Sequence, residues 1–114
     1  MLVNLFKSFR NEARLAGAAR VLAARARHAV WLRVAERVPG MGVNESRGYI
    51  RARAAAVVHG EVDAILSSDR TLCARHRRQL IDLTCDELAR QILAHAAALR
   101  FAPVQAAAPL RRAA

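Results

Sequence analysis

Turn-forming and bulky residues are both scarce in this 114-residue chain, which holds five glycines, three prolines, one tryptophan, one tyrosine and three phenylalanines. So little punctuation predicts long uninterrupted elements and excludes the many short turns of a β-sandwich or barrel. Two cysteines, Cys73 and Cys85, make no disulfide framework, and a reducing, cytoplasmic setting is the simpler reading. No apolar run approaches the roughly 18 residues that span a bilayer. The opening "MLVNLFKSFR" lacks the continuous apolar core of a secretory signal. Its basic, acid-poor character fits an organellar transit peptide, but serine is scarce and the helical pattern runs on far beyond it. Lysine is nearly absent as well, with Lys7 the only one.

What is present is alanine and arginine. The hydrophobic fraction reaches 54%, yet much of it is alanine, the best helix former and a poor source of buried area. The composition therefore predicts helices around a thin core. The formal charge is +10, with a pI near 11.6. GC-rich coding explains arginine in place of lysine, but not 19 basic residues against 9 acidic ones. That imbalance points to nucleic acid, an acidic protein or an anionic membrane surface as partner.

The organisation follows from the breaks. "PGMG" (39–42) is the only Pro/Gly cluster and must interrupt a helix. We expect an all-α bundle domain over 1–102, with largely antiparallel helices at about 2–38, 45–66 and 70–100 and a disordered basic tail at 103–114. The first helix carries one glycine, Gly17, where a bend is expected. Asn44 is a good N-cap for the second, with Glu45 in its first turn. "SSD" (67–69) closes the second helix and caps the third. Within the third, Thr84 to Glu87 fits a capping box. The apolar stripe Leu72, His76, Leu80 and Leu83 also lies rotated from Cys85, Leu88, Ile92, Ala96 and Leu99. The third helix is therefore either restarted at Thr84, which the box favours, or continuous and buried on two sides.

The arginines of the first helix fall into two sets. Residues 1–38 carry a net +6. At about 100° per residue, Leu2, Leu5, Phe6 and Phe9 share a face to which Trp31, Val34 and Val38 return. Lys7, Arg10, Arg14 and Arg25 lie nearly opposite, in one line. Arg20 and Arg27 sit on the apolar face, and Glu61 sits inside the apolar stripe of the second helix (Ile50, Ala54, Val57, Val58 and Ile65). If the two helices fold back on each other, Glu61 comes level with both arginines. A partly buried ion pair of Glu61 with Arg20 or Arg27 is expected, unless both arginines snorkel to the edge.

Motifs for chemistry are missing. Cys73-x-x-His76 with Cys85 and His95 lacks the convergence that a four-ligand zinc site needs, because the two pairs lie on different stripes. No oxyanion donors or glycine-rich turn accompany Cys73 and His76. "RGYIRARA" (47–54) holds a single glycine and cannot cradle phosphate, so it reads as an amphipathic helix start. "LTCDELARQIL" (83–93) resembles the opening of a helix-turn-helix unit, but "AHAAALRFAP" follows where the recognition helix should stand. We expect no catalytic residue, no metal and no cofactor.

The reading is a small basic, non-enzymatic binding or regulatory module. Sequence-independent nucleic-acid contact would run through Lys7, Arg10, Arg14 and Arg25, with Arg75, Arg77 and Arg78 of "ARHRRQ" as a second patch. The rival is a protein–protein or structural module whose charge serves solubility. A third reading places the N-terminal amphipathic helix on a membrane surface. Homo-oligomerisation through Leu2, Leu5, Phe6 and Phe9 is expected, because a first helix about 55 Å long outruns a compact monomer of this size.

Overall fold

A computed structural model describes the backbone of residues 2–69, 72 and 74–113 and the side chains of residues 10–69, 72 and 74–99. Three helices pack together: α1 (Leu2–Val34), α2 (Val43–Ser68) and α3 (Arg77–Ala113). Short 3₁₀ turns stand at Val38–Gly40 and Ala74–His76, and no strand occurs among the described residues. The all-α bundle expected from composition is what forms. The expected tail, 103–114, lies outside the residues whose side chains are described.

Each boundary has a local cause. Pro39 sits in the first turn of the 3₁₀ segment, where its missing N–H costs nothing. Met41 then turns extended, and its N–H donates to the Val38 carbonyl. The second helix opens at Val43, two residues earlier than expected, because the Ser46 N–H already donates to the Gly42 carbonyl at 2.8 Å. Gly42 is therefore the N-cap and Asn44 belongs to the first turn. At the other end the Asp69 N–H reaches the Ile65 carbonyl at 2.8 Å, which carries α2 to Ser68. The third helix begins at Arg77 rather than at 70, so half of "ARHRRQ" lies in a 3₁₀ turn.

Side-chain pairs across the seams define the topology. Arg51 bridges to Asp86 and Arg77 to Asp63, so α2 and α3 run antiparallel. Trp31 meets His95 edge to face, with ring centroids 4.8 Å apart, and the Arg20 charge reaches Glu87. Residue numbers rise together in those pairs, so α1 and α3 run parallel. The bundle is up-down-up.

The core is small-sided. Leu15, Ala19, Leu22, Ala23, Ala26, Val30 and Val34 bury the inner face of α1. Ser46, Ile50, Ala54, Val58 and Val62 form a strict i+4 ridge on α2. Leu80, Thr84, Cys85, Leu88, Ala89, Ile92 and Ala96 are buried along α3. These α3 positions spread too widely for one seam, since α3 packs against both α1 and α2. Thr84 is fully buried and its Oγ1 donates to the Leu80 carbonyl at 2.7 Å. That i−4 bond satisfies the hydroxyl inside an unbroken helix. The capping-box restart at Thr84 is thus corrected: the rotated stripes are two buried sides of one helix.

The buried Glu61 pair is corrected too. Arg20 and Arg27 are exposed and Glu61 is half-exposed, and no ion pair joins them among the described residues. On α1 the buried stripe follows Leu15, Leu22, Ala26 and Val30, which leaves Arg20 and Arg27 on its flank, with Arg20 turned toward α3. On α2 the i+4 ridge drifts about 40° per step, and at the level of Glu61 it has moved on to Val58 and Val62. A wheel averaged over the whole helix hides that drift.

Two stability measurements follow. Leu88→Ala should cost about 2–5 kcal/mol in urea unfolding, because Leu88 is fully buried between two helices. Leu32→Ala, at a site 68% exposed, should change stability by less than about 0.5 kcal/mol. Gly17 lies inside the continuous α1, with nothing within 4 Å of an added Cβ. Gly17→Ala should therefore stabilise by about 0.5–1 kcal/mol in the same assay, through helix propensity.

Candidate nucleic-acid interface

The outward face of α1 is where the charge stands open. Arg10, Arg14 and Arg25 are all exposed, as the line drawn from the sequence requires. The acidic residue of α1, Glu12, projects about 160° from Arg14 around the axis, so it does not neutralise the line. Lys7 lies outside the described side chains, as do Leu2, Leu5, Phe6 and Phe9.

The same face carries residues that the charge pattern alone does not reveal. Val21 and Leu32 are 54% and 68% exposed, and exposed His28 stands between them. Positions 10, 14, 21, 25, 28 and 32 step by four, seven, four, three and four, which keeps them on one line along the helix. From Arg10 to Leu32 that line is about 33 Å long. The spacing was available in the sequence, but apolar residues there read as core until burial is known.

The second patch is only partly open. Arg75 and Arg78 are exposed. Arg77 is committed: its Nε donates to Asp63 Oδ1 at 2.7 Å and its Nη2 to Oδ2 at 3.3 Å, with His59 Nδ1 at 3.4 Å. This forked pair holds the Asp63 carboxyl below its ordinary range. Arg77 is therefore a seam residue rather than an open contact.

Carboxylates are drawn to α3 in the same way. Asp86 is held by Arg51. Glu87 accepts from Arg90 Nη2 at 2.5 Å, Arg90 Nε at 3.1 Å and Gln91 Nε2 at 3.1 Å. The Arg90 hydrogen bond, then that of Gln91, lowers the Glu87 pKa from 4.5 to about 2, with a smaller contribution from the charge of Arg20. Arg53 lies over the Tyr49 ring, 5.3 Å from its centroid. Trp31 is half-buried against His95 rather than fully in the core.

Among the described residues the sulfur and imidazole groups form no metal-binding cluster. Cys85 is a buried free thiol whose pKa is pushed up by burial. Cys73 lies outside the described residues, and among those described no three His, Cys, Asp or Glu side chains are placed to hold a metal. No described helix is long and apolar enough to cross a membrane. Compared with family models, curated proteins and solved structures, the chain matches none of them. The fold and its surfaces alone define its class, a basic three-helix bundle.

Because the folded Glu87 pKa is depressed, its stabilisation is complete above pH 4.5 and is lost as pH falls toward about 2. Glu87→Gln should be less stable than the parent chain at neutral pH, and the gap should narrow across that window. Urea melts at a series of pH values check the sign.

Proposed function

We propose that this protein is a non-enzymatic binding module whose outward α1 face takes nucleic acid without reading its sequence. The observation that carries the reading is the exposed line Arg10, Arg14 and Arg25, without a carboxylate beside it, on a chain of net charge +10. A straight row of guanidinium groups can follow a phosphate backbone and displace its counterions. Base readout has little support. Tyr49 is engaged by Arg53 and Trp31 by His95, so neither offers an open stacking platform. Arg75 and Arg78 extend the basic surface near the start of α3, and Lys7 prolongs the line by sequence.

The proposal includes a cytoplasmic setting and self-association through Leu2, Leu5, Phe6 and Phe9. Light scattering should give a mass above that of one chain, lowered by the Phe6→Asp, Phe9→Asp double substitution. A protein–protein role is the second reading, favoured by the exposed Val21 and Leu32 that interrupt the basic line.

The test is retention of labelled DNA and RNA at about 50 mM salt, then its salt dependence. The triple substitution Arg10→Gln, Arg14→Gln, Arg25→Gln should weaken binding and reduce the slope of log affinity against log salt by about 3. Arg77→Gln should change the slope far less, since that guanidinium is spent on Asp63. Absence of retention at low salt overturns the reading.

A further inference from the structure

Where α2 and α3 meet the 3₁₀ corner, an open apolar groove of about 120 Å³ is lined by Val38, Met41, Val43, Leu93, Ala96 and Ala97, with Ser46 at its base. Its neighbour along the seam shares Leu93 and is bounded by Arg47, Asp86 and Arg90. Because the two helices are antiparallel, Val43 and Arg47 make one wall, a turn apart, while Ala97, Leu93 and Arg90 make the other. The groove is apolar at one end and cationic at the other.

The charges at the cationic end are not equivalent. Arg90 is held by Glu87, and Asp86 by Arg51. Arg47 is exposed and makes no ion pair or hydrogen bond among the described residues. Val43, one turn before it, is 64% exposed at the groove's rim. A free guanidinium beside an open apolar slot is complementary to an occupant with an apolar side chain and a nearby carboxylate.

We infer that this groove docks a segment of an acidic partner protein, one leucine- or phenylalanine-sized side chain entering the slot and a carboxylate meeting Arg47. The size agrees: a cavity of about 150 Å³ holds a benzene ring, so this slot takes one branched aliphatic side chain or most of a phenyl ring. The spacing agrees as well. One turn separates Val43 from Arg47, about 6 Å, which two residues of an extended segment or one turn of a helix span. Met41 supplies a wall that adjusts to the shape of the entering group. The surface lies on the α2–α3 seam, away from the outward face of α1, so it stands independently of nucleic-acid binding.

The experiment uses the full chain and three fluorescein-labelled 12-residue peptides at about 0.15 M salt. One alternates leucine with aspartate among serines, the second replaces leucine by alanine, and the third replaces aspartate by lysine. Anisotropy should rise with the first, and the other two should bind at least about tenfold more weakly. Arg47→Glu, and Ala97→Leu, which fills the slot, should each weaken the first peptide by about tenfold or more. Circular dichroism should be unchanged, because both positions are exposed. The Arg10, Arg14, Arg25 triple substitution should leave peptide binding intact. Equal binding of the alanine peptide would reduce the effect to charge attraction and overturn the inference. So would loss of binding in the α1 triple variant alone, or no binding at about 1 mM peptide. A self-association abolished by Ala97→Leu would give the groove to a second copy instead, and would equally overturn it.

Discussion

The third helix has to be buried on two sides, and the rest of the structure depends on that constraint. The chain owns few bulky apolar residues, so no helix pair could bury enough area alone. By burying Leu80, Leu88 and Ile92 together with the small Ala89 and Ala96, α3 serves α1 and α2 at once. Thr84 tolerates full burial because its hydroxyl is satisfied within its own helix. A break at that point would divide the one element that both other helices need.

Charge follows from packing. The seams of α3 gather carboxylates: Asp86 from Arg51, Asp63 toward Arg77, and Glu87 with Arg90 and Gln91. Exposed pairs of this kind add little stability one by one, and all three lie between α2 and α3 or within α3, away from the far side of α1. Arg10, Arg14 and Arg25 stand on the face turned from the bundle with no carboxylate paired to them among the described residues. A positively charged surface here is a consequence of where the acids are needed as well as of how few they are.

The two candidate surfaces differ in what they select. The α1 line offers three guanidinium groups over about 22 Å, interrupted by exposed Val21, which suits an extended polyanion. The α2–α3 groove offers one slot and one free guanidinium, which suits a short segment of defined pattern. Together they would make a small adaptor, holding a polyanion on one side and an acidic protein on another.

Helix content, the break at "PGMG" and the outward line Arg10, Arg14 and Arg25 were all legible in the residues, because local propensity and 100° periodicity act within one element. The start of α2, the unbroken course of α3 through Thr84, and the positions of Arg20, Arg27 and Glu61 were not. Each depends on which side of a helix meets which neighbour. A capping-box pattern cannot tell a restart from a threonine bonded back to Leu80, and a helical wheel cannot show a ridge that drifts along α2. The sequence by itself determined the elements and the sign of the surface. Only tertiary packing decided which faces were left open, because burial belongs to pairs of helices and not to any one of them.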